Sequence, residues 1–296
     1  MIGFRRVLLA ALLSSFAIRI PTHAQEIPKD YQEVLTILGK SGDFSANVLK
    51  ANIPRSDLSV QIAGHLTPTP FGFGGWLAFS RASDGTDVVM GDLVLTQDEV
   101  NPVMSALLDN GLEVTALHNH FFFEEPRLFY MHVHGHGPAA DLARSARPAL
   151  DLIGKGAPPP DKAAAAPKIE FDLAALDKIV GRKGDTSGSV YKYTVGREDL
   201  QVSEMGAVIN ARMGLNSWAA FAGSQADAQI AGDIAMKESE VTPVLKALRA
   251  NGLTIVAIHH HMLGTQPTII FLHYWGRGPA PRLAAGFRSV LDILGH

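Results

Sequence analysis

Cysteine is absent from the 296-residue chain. Disulfide bridges, thiolate metal sites, iron–sulfur clusters and a lipid-modified N-terminal cysteine are therefore excluded. Any bound metal ion must be held by histidine, carboxylate or backbone oxygen ligands. The twelve histidines of the chain are thus the first residues to consider as ligands.

Basic residues are in the minority once the first 24 residues are set aside. That segment holds three arginines and no acidic residue, so the remainder carries 23 basic and 29 acidic residues and a formal charge of −6. Nucleic-acid-binding proteins usually show a basic excess or a basic stripe. We therefore expect no nucleic-acid partner.

Long apolar runs are missing after residue 24. The run from Val7 to Ile18 follows Arg5 and Arg6, is too short to span a bilayer, and precedes a small residue at Ala24. These features predict a signal peptide over residues 1–24, cleaved after Ala24, and a periplasmic or secreted chain with no transmembrane segment. An uncleaved N-terminal anchor is the alternative, which Arg19 favours.

The sequence contains an internal duplication. Residues 91–151 align without a gap to residues 232–292 at an offset of 141, and shorter motifs upstream align at an offset of 142. A segment rich in proline and alanine lies between the copies. We predict repeat domain 1 over residues 25–154, a semi-rigid linker over 155–168, and repeat domain 2 over 169–296.

Each copy shows the same order of elements. In copy one a helix runs from Tyr31 to Leu38, and three strand-like segments follow. A second helix starts at Thr96 with a capping box to Glu99, and a hairpin and a last helix complete the copy. Because strands and helices do not alternate regularly, we predict an α+β fold. Helices should cover one face of a largely antiparallel sheet, and the two copies should pack as a pseudo-dimer.

Histidines are concentrated in the predicted hairpin of copy one. His118 and His120 share one face of the first strand, and His132 and His134 share one face of the second. A hairpin centred near Pro126 places His120 opposite His132 and His118 opposite His134. Directly opposed residues have Cβ atoms about 4.5–5.5 Å apart, so we predict a metal site here.

Copy two repeats three of these four histidines. His259, His261 and His273 correspond to His118, His120 and His132 at the offset of 141. The same hairpin geometry places His261 opposite His273, whereas His259 faces Trp275. We therefore predict a reduced site in copy two, with zinc, copper(II) or nickel as the divalent ion in either copy. Hairpin histidines bonded to backbone or water remain the alternative.

Two acidic residues follow the first histidines. The stretch from His118 to Glu124 resembles the start of a cupin metal motif, in which two histidines and a glutamate bind one ion. Glu124 or Glu125 is thus a candidate catalytic base beside a metal ion. Exposed residues of a hairpin turn are the alternative. Asp92 and Asp233, which follow glycines at equivalent positions, are candidates to orient a ligand histidine, although a turn also explains them.

A longer pattern recurs in both copies: Asn-Gly-Leu, His-x-His, a turn with proline, a strand with histidine, and Gly-x-Gly-Pro. In copy one it comprises Asn110-Gly111-Leu112, His118, His120, Pro126, His132 and Gly135-His136-Gly137-Pro138. The pattern resembles the LppY/LpqO family of exported bacterial proteins, which often carry tandem copies. The resemblance implies export and no particular activity. Lipid anchoring is not implied here, because the chain has no cysteine.

The sequence leaves three hypotheses open. The first is a periplasmic or secreted metal-binding protein with its main site in copy one. The second is a metal-dependent enzyme, hydrolase or cupin-like, with Glu124 or Glu125 as base. The third is an interaction module in which the repeats build a surface and bind no metal. The sequence names neither a substrate nor a partner beyond a metal ion or small molecule.

Overall fold

The computed structural model describes residues 25–155 and 169–296. The predicted signal peptide, residues 1–24, lies outside the described residues, as do residues 156–168 of the predicted linker. The fold below therefore concerns the two repeat copies.

Copy one contains three helices and nine strands among its described residues. In chain order they are α1 (Lys29–Leu38), β1 (Gly42–Ser45), β2 (Val48–Pro54), β3 (Val60–Ile62), β4 (His65–Thr67), β5 (Gly74–Arg81), β6 (Asp87–Thr96), α2 (Gln97–Asp109), β7 (Glu113–His118), β8 (Glu124–Glu125), β9 (Leu128–Gly137) and α3 (Ala139–Leu150).

Copy two repeats this order, without a counterpart of β8 within residues 169–296. Its elements are α4 (Leu173–Val180), β10 (Asp185–Ser187), β11 (Val190–Gly196), β12 (Val202–Glu204), β13 (Ala207–Ile209), β14 (Asn216–Gly223), β15 (Ala228–Lys237), α5 (Glu238–Ala250), β16 (Thr254–His259), β17 (Ile269–Gly278) and α6 (Ala280–Leu294).

Each copy builds one six-stranded sheet. The strand order is β1-β2-β5-β6-β9-β7 in copy one and β10-β11-β14-β15-β17-β16 in copy two. Every pairing within both sheets is antiparallel. Antiparallel sheets can be joined by short turns and need no crossover helices. The predicted α+β class and the tandem duplication are thereby confirmed.

The helices of each copy pack on one face of its sheet. In copy one, Val34 of α1, Leu107 of α2 and Ala146 of α3 join Leu77 and Val133 of the sheet in a single apolar core. Copy two forms the equivalent core with α4, α5 and α6. No helix in the part of the chain that the structure describes is long and apolar enough to cross a membrane.

The face of each sheet that carries no helices lies against the other copy. The β12–β13 hairpin of copy two packs on the sheet of copy one, where Val202 and Ile209 join the apolar cluster of Val88 and Met90. In the same way, β3 and the loop that follows it pack on the sheet of copy two. Phe71 belongs to the separate apolar cluster at this contact. The copies thus form the predicted pseudo-dimer, and each covers the other.

A buried arginine ties the second helix of each copy to its sheet. Arg55 is only 1% exposed; its guanidinium donates to Val94 O at 2.7 Å, to Glu99 Oε2 at 2.6 Å and to Asp57 Oδ2 at 2.8 Å. Glu99 also accepts the N–H of Thr96, so the predicted capping box is present. Arg197 repeats these contacts in copy two.

We expect Arg55→Met to lower the free energy of unfolding by about 3–5 kcal/mol, because it leaves the carboxylates of Asp57 and Glu99 without their buried partner. Arg144→Met is the control, since Arg144 pairs with Asp141 at the surface, and we expect a change of about 1 kcal/mol or less. Urea denaturation measures both. Equal effects for the two variants would contradict the role given to Arg55.

Candidate metal centre between the two copies

A row of polar side chains crosses the inner face of the first sheet. The strand register places Asp92 of β6 opposite His132 of β9, and His132 opposite Ala116 of β7. Because side chains alternate along a strand, His118 shares the face of Ala116. The register in copy two is the same. His273 lies opposite Asp233 on one side and Ala257 on the other, so His259 is equivalent to His118.

The hairpin register differs from the predicted one. His118 lies opposite Tyr130, and His132 lies opposite Ala116, so the predicted pairs of His118 with His134 and His120 with His132 are wrong. The two strands pair about a centre two residues before Pro126, and Glu124 and Glu125 of the connection pair with β3 as β8. An even shift keeps the histidines on one face.

The predicted pairs of copy two are wrong by the same displacement. His259 lies opposite Phe271 instead of Trp275, and His273 lies opposite Ala257 instead of His261. Trp275 faces Thr254 near the other end of β16.

Six histidines, three from each copy, converge between the sheets. His118, His120, His132, His259, His261 and His273 are the members of this histidine cluster. The closest rings belong to different copies: the centroids are 3.8 Å apart for His118 and His259, 3.6 Å for His120 and His273, and 4.0 Å for His132 and His261. The two sites predicted separately are therefore one cluster.

Backbone contacts set the proton position of two rings. Nδ1 of His132 lies 3.2 Å from Gly91 O, and Nδ1 of His273 lies 3.2 Å from Gly232 O. A carbonyl oxygen only accepts, so each Nδ1 carries the proton and each Nε2 keeps a lone pair directed into the cluster. Ligand histidines in metal sites are commonly oriented by a backbone carbonyl in this way.

Most ring nitrogens of the histidine cluster have no protein hydrogen-bond partner. Within residues 25–155 and 169–296, nine such nitrogens are buried and unpaired. They include Nε2 of His132 and of His273. An unpaired buried polar atom costs about 1–3 kcal/mol, so the uncommon feature here is the number of them in one place. These nitrogens could bind a ligand that the described residues do not supply.

Three groups of side chains in the cluster are arranged so that they can hold a metal ion, with candidate ligand atoms within 4.8 Å of one another. The groups are His118, His120 and His273; His118, His132 and His259; and Asp233, His259 and His261. The first two combine histidines from both copies. The third lies wholly in copy two, so two of the three ligand sets require both copies.

Burial keeps the imidazoles of the cluster neutral. It lowers the pKa of His118 to about 3 and, together with neighbouring histidines, lowers the pKa of each of the other five well below its ordinary value. Metal ions bind the neutral form of imidazole. The ligand nitrogens are thus available at neutral pH.

Two aspartates accompany the histidines. Oδ2 of Asp233 lies 3.3 Å from Nε2 of His261, and Oδ2 of Asp92 lies 3.9 Å from Nε2 of His120. Burial raises the pKa of Asp233 to about 7, and burial together with the charge of Asp233 raises the pKa of Asp92 well above its usual value. Both residues lie within strands, so the turn interpretation of the two Gly-Asp pairs is wrong.

The glycine before Asp92 allows the strands to approach closely. A Cβ on Gly91 would lie 2.9 Å from Trp76 O and would meet the side chain of Leu77. Any larger residue would therefore push β5 and β6 apart and displace Asp92 and the carbonyl that orients His132.

A cavity of about 320 Å³ opens beside the cluster between the two copies. Asp92, Asp233, His120 and His261 line one part of it, and a lysine and a tryptophan from each copy line another. Lys50 lies over the ring of Trp76 at 4.3 Å, and Lys192 lies over the ring of Trp218 at 4.1 Å. Sequence reasoning missed these pairs, although they recur at the offset of 142.

Other predicted site residues lie outside the three groups. Nδ1 of His134 is buried 3.0 Å from Oε1 of Glu204 in copy two, without alignment for a hydrogen bond. Glu124 is 4% exposed; its Oε1 accepts from Leu128 N at 3.4 Å, and burial raises its pKa. Glu125 and His260 are exposed. The structure thus brings six of the seven predicted histidine ligands together, and neither glutamate joins them.

The metal-free protein should lose stability as pH falls from about 6.5 toward 4. The six histidines have a folded pKa below the unfolded value of about 6.5, so the unfolded state takes up protons first and the free energy of unfolding decreases. Asp92 and Asp233 have raised pKa values and act in the opposite direction, but they are two groups against six.

Thermal unfolding of chelator-treated protein between pH 7.5 and 4.5 measures this effect. A variant with His118 and His259 both replaced by Phe should show a shallower fall of Tm with pH. A variant with the exposed His260 replaced by Phe should match the unaltered protein. The same slope in all three proteins would show that the cluster does not control acid stability.

Comparisons with known proteins give one family and two distant structures. The sequence model of a family described as Domain of Unknown Function (DUF1259) matches residues 32–152 and again residues 174–293. A search of curated proteins finds no match.

The trimeric bacterial microcompartment shell protein PduB shares 14% identity, with 82% of this chain and 86% of that chain covered and a TM-score of 0.18. EtuB from Clostridium kluyveri shares 11% identity, with 86% and 92% covered and a TM-score of 0.22. Because both TM-scores are below 0.5, neither likeness supports a conclusion about this chain.

Proposed function

The chain belongs to the family described as Domain of Unknown Function (DUF1259), and we propose that it binds divalent transition-metal ions through imidazoles that its two copies contribute jointly. The observation that carries this proposal is the set of nine buried ring nitrogens without a protein partner among the described residues. Structural histidines usually have these atoms hydrogen-bonded to other protein groups.

The arrangement of the groups supports two ions per chain. The group of His118, His120 and His273 shares no residue with the group of Asp233, His259 and His261, so both can be filled at once. The central group of His118, His132 and His259 overlaps both and is an alternative to them. Each of the two non-overlapping groups offers three ligands, which leaves a coordination position for a further molecule.

The donor atoms favour zinc, copper(II) or nickel. Imidazole nitrogen suits these ions, whereas calcium and magnesium prefer sets of oxygen ligands. The low pKa values that burial gives the histidines favour ion binding over protonation at neutral pH.

Elemental analysis of mature protein purified without chelators tests the proposal. We expect close to two ions per chain after loading with zinc. The double variant His118→Ala/His259→Ala should retain less than about a tenth of this metal, because each group contains one of the two residues. His260→Ala is the matched control, since His260 lies between two cluster histidines in sequence but is exposed.

Absence of metal from the loaded protein would contradict the proposal and favour the interaction module. Metal that persists in the double variant and disappears with His134→Ala would instead place the site around His134 and Glu204. One ion per chain, lost on replacing His132, would select the central group.

A second candidate, a metal-dependent enzyme, is favoured by the cavity beside the cluster. Histidines of the cluster and the two aspartates line a space of about 320 Å³, at the lower end of the range of about 300–1,000 Å³ for small-molecule sites. A bound ion would polarise a carbonyl or phosphoryl oxygen. Asp233, with a pKa of about 7, is suited to exchange a proton at neutral pH.

Hydrolysis of p-nitrophenyl esters by the zinc-loaded protein tests the second candidate. Asp233→Asn should lower the rate about 100-fold or more while the ion in the group of His118, His120 and His273, which lacks Asp233, is retained, because the amide cannot exchange a proton. Glu125→Gln should leave the rate unchanged, since Glu125 is exposed and outside the cluster. Loss of activity in Glu125→Gln, or none in Asp233→Asn, would contradict this assignment.

Export and membership in the LppY/LpqO family are part of the proposal. The first rests on the charged start and short apolar run of residues 1–24, and the second on the repeated motif around His118 and His259. Sequencing of the N-terminus after expression in a bacterial host tests export, with Gln25 as the expected first residue.

A further inference from the structure

Two lysines enter the cavity from opposite copies. Lys50 stands on β2 and Lys192 on β11, at equivalent positions of the two sheets. Each ammonium is held over the tryptophan of the neighbouring strand, at 4.3 Å from the Trp76 ring and 4.1 Å from the Trp218 ring. The stacking fixes both charges at the wall of the cavity.

Neither lysine has a carboxylate within ion-pair distance among the described residues. Burial and the nearby charge of Lys192 lower the pKa of Lys50 to about 7, and burial lowers the pKa of Lys192 to about 8. Burying two positive charges that have no ionic partner costs free energy. An anion between them would offset that cost.

The acidic groups of the cavity form no ion pair with either lysine among the described residues. Asp92 and Asp233 instead have histidines of the cluster as their nearest ionisable partners. Arg212, which also lines the cavity, adds a third cation but is paired with Asp43. The lining therefore holds three cationic residues and two carboxyl groups, although the chain as a whole is acidic.

We propose that this cavity binds a small, doubly charged oxyanion of the phosphate or phosphate-ester class, held between Lys50 and Lys192. The inference rests on the proposed function in one respect: histidines of the cluster line the same cavity, so a bound metal ion adds positive charge facing the anion.

The class of ligand follows from charge, shape and size. Two lysine ammoniums match two negative charges, and lysine binds phosphate as a point charge without the flat geometry that arginine and a carboxylate share. The tryptophan rings exclude water from one side of each ammonium, which strengthens its attraction for an anion. A volume of about 320 Å³ admits a phosphate with a small organic substituent but not a nucleic acid.

Isothermal titration calorimetry with inorganic phosphate tests the inference on the full mature chain, both zinc-loaded and metal-free. The double variant Lys50→Met/Lys192→Met should bind phosphate at least about 100-fold more weakly, since each charged hydrogen bond contributes about a factor of ten. Lys50→Arg/Lys192→Arg should keep most of the affinity. Lys246→Met is the control, because Lys246 is an exposed residue of α5.

The outcomes separate this inference from the proposed function. Unchanged phosphate affinity in the double methionine variant, or no binding by protein that holds its zinc, would overturn the inference and leave metal binding intact. Lysine-dependent phosphate binding by a protein that takes up no metal would support the inference and overturn the proposed function. Acetate serves as the singly charged probe, and tighter binding of acetate than phosphate would also overturn it.

Discussion

Six imidazoles are buried between two sheets, and most of their nitrogens have no hydrogen-bond partner among the residues that the structure describes. The cost of burying such atoms is high, so the surrounding structure must hold them there. The β12–β13 hairpin of copy two and the loop after β4 of copy one do this, because they bury apolar side chains such as Ile209 and Phe71 on the sheet of the opposite copy. The pseudo-dimer is thus the condition for the histidine cluster.

The duplication gives the site its chemistry as well as its shape. Each copy contributes an aspartate, a lysine and three histidines from equivalent positions, and the closest contacts between histidine rings cross from one copy to the other. Two of the three metal-ligand groups combine residues of both copies. They are the group of His118, His120 and His273 and the group of His118, His132 and His259. An interface between two copies therefore creates ligand sets that neither sheet could form from its own hairpin.

The interface has two regions that differ in charge. Around the cluster, burial lowers the pKa values of histidines and raises those of the two aspartates, which leaves neutral ligands close together. At the cavity, Lys50 and Lys192 bring positive charge without a paired carboxylate among the residues described. Neutral ligands beside fixed cations suit a metal ion that shares its surroundings with an anionic molecule.

Local patterns in the sequence were sufficient for the fold class, the duplication and the face on which the histidines lie. These features depend on periodicity and on capping residues such as Thr96 and Glu99, which act over a few residues. The predicted hairpin register is wrong, because it assumes that Pro126 is the centre, whereas the strands pair about a point two residues earlier in both copies. Only the tertiary structure joined the two histidine sets and added Lys50 and Lys192, since packing between copies follows from whole surfaces and leaves no short-range pattern in the chain.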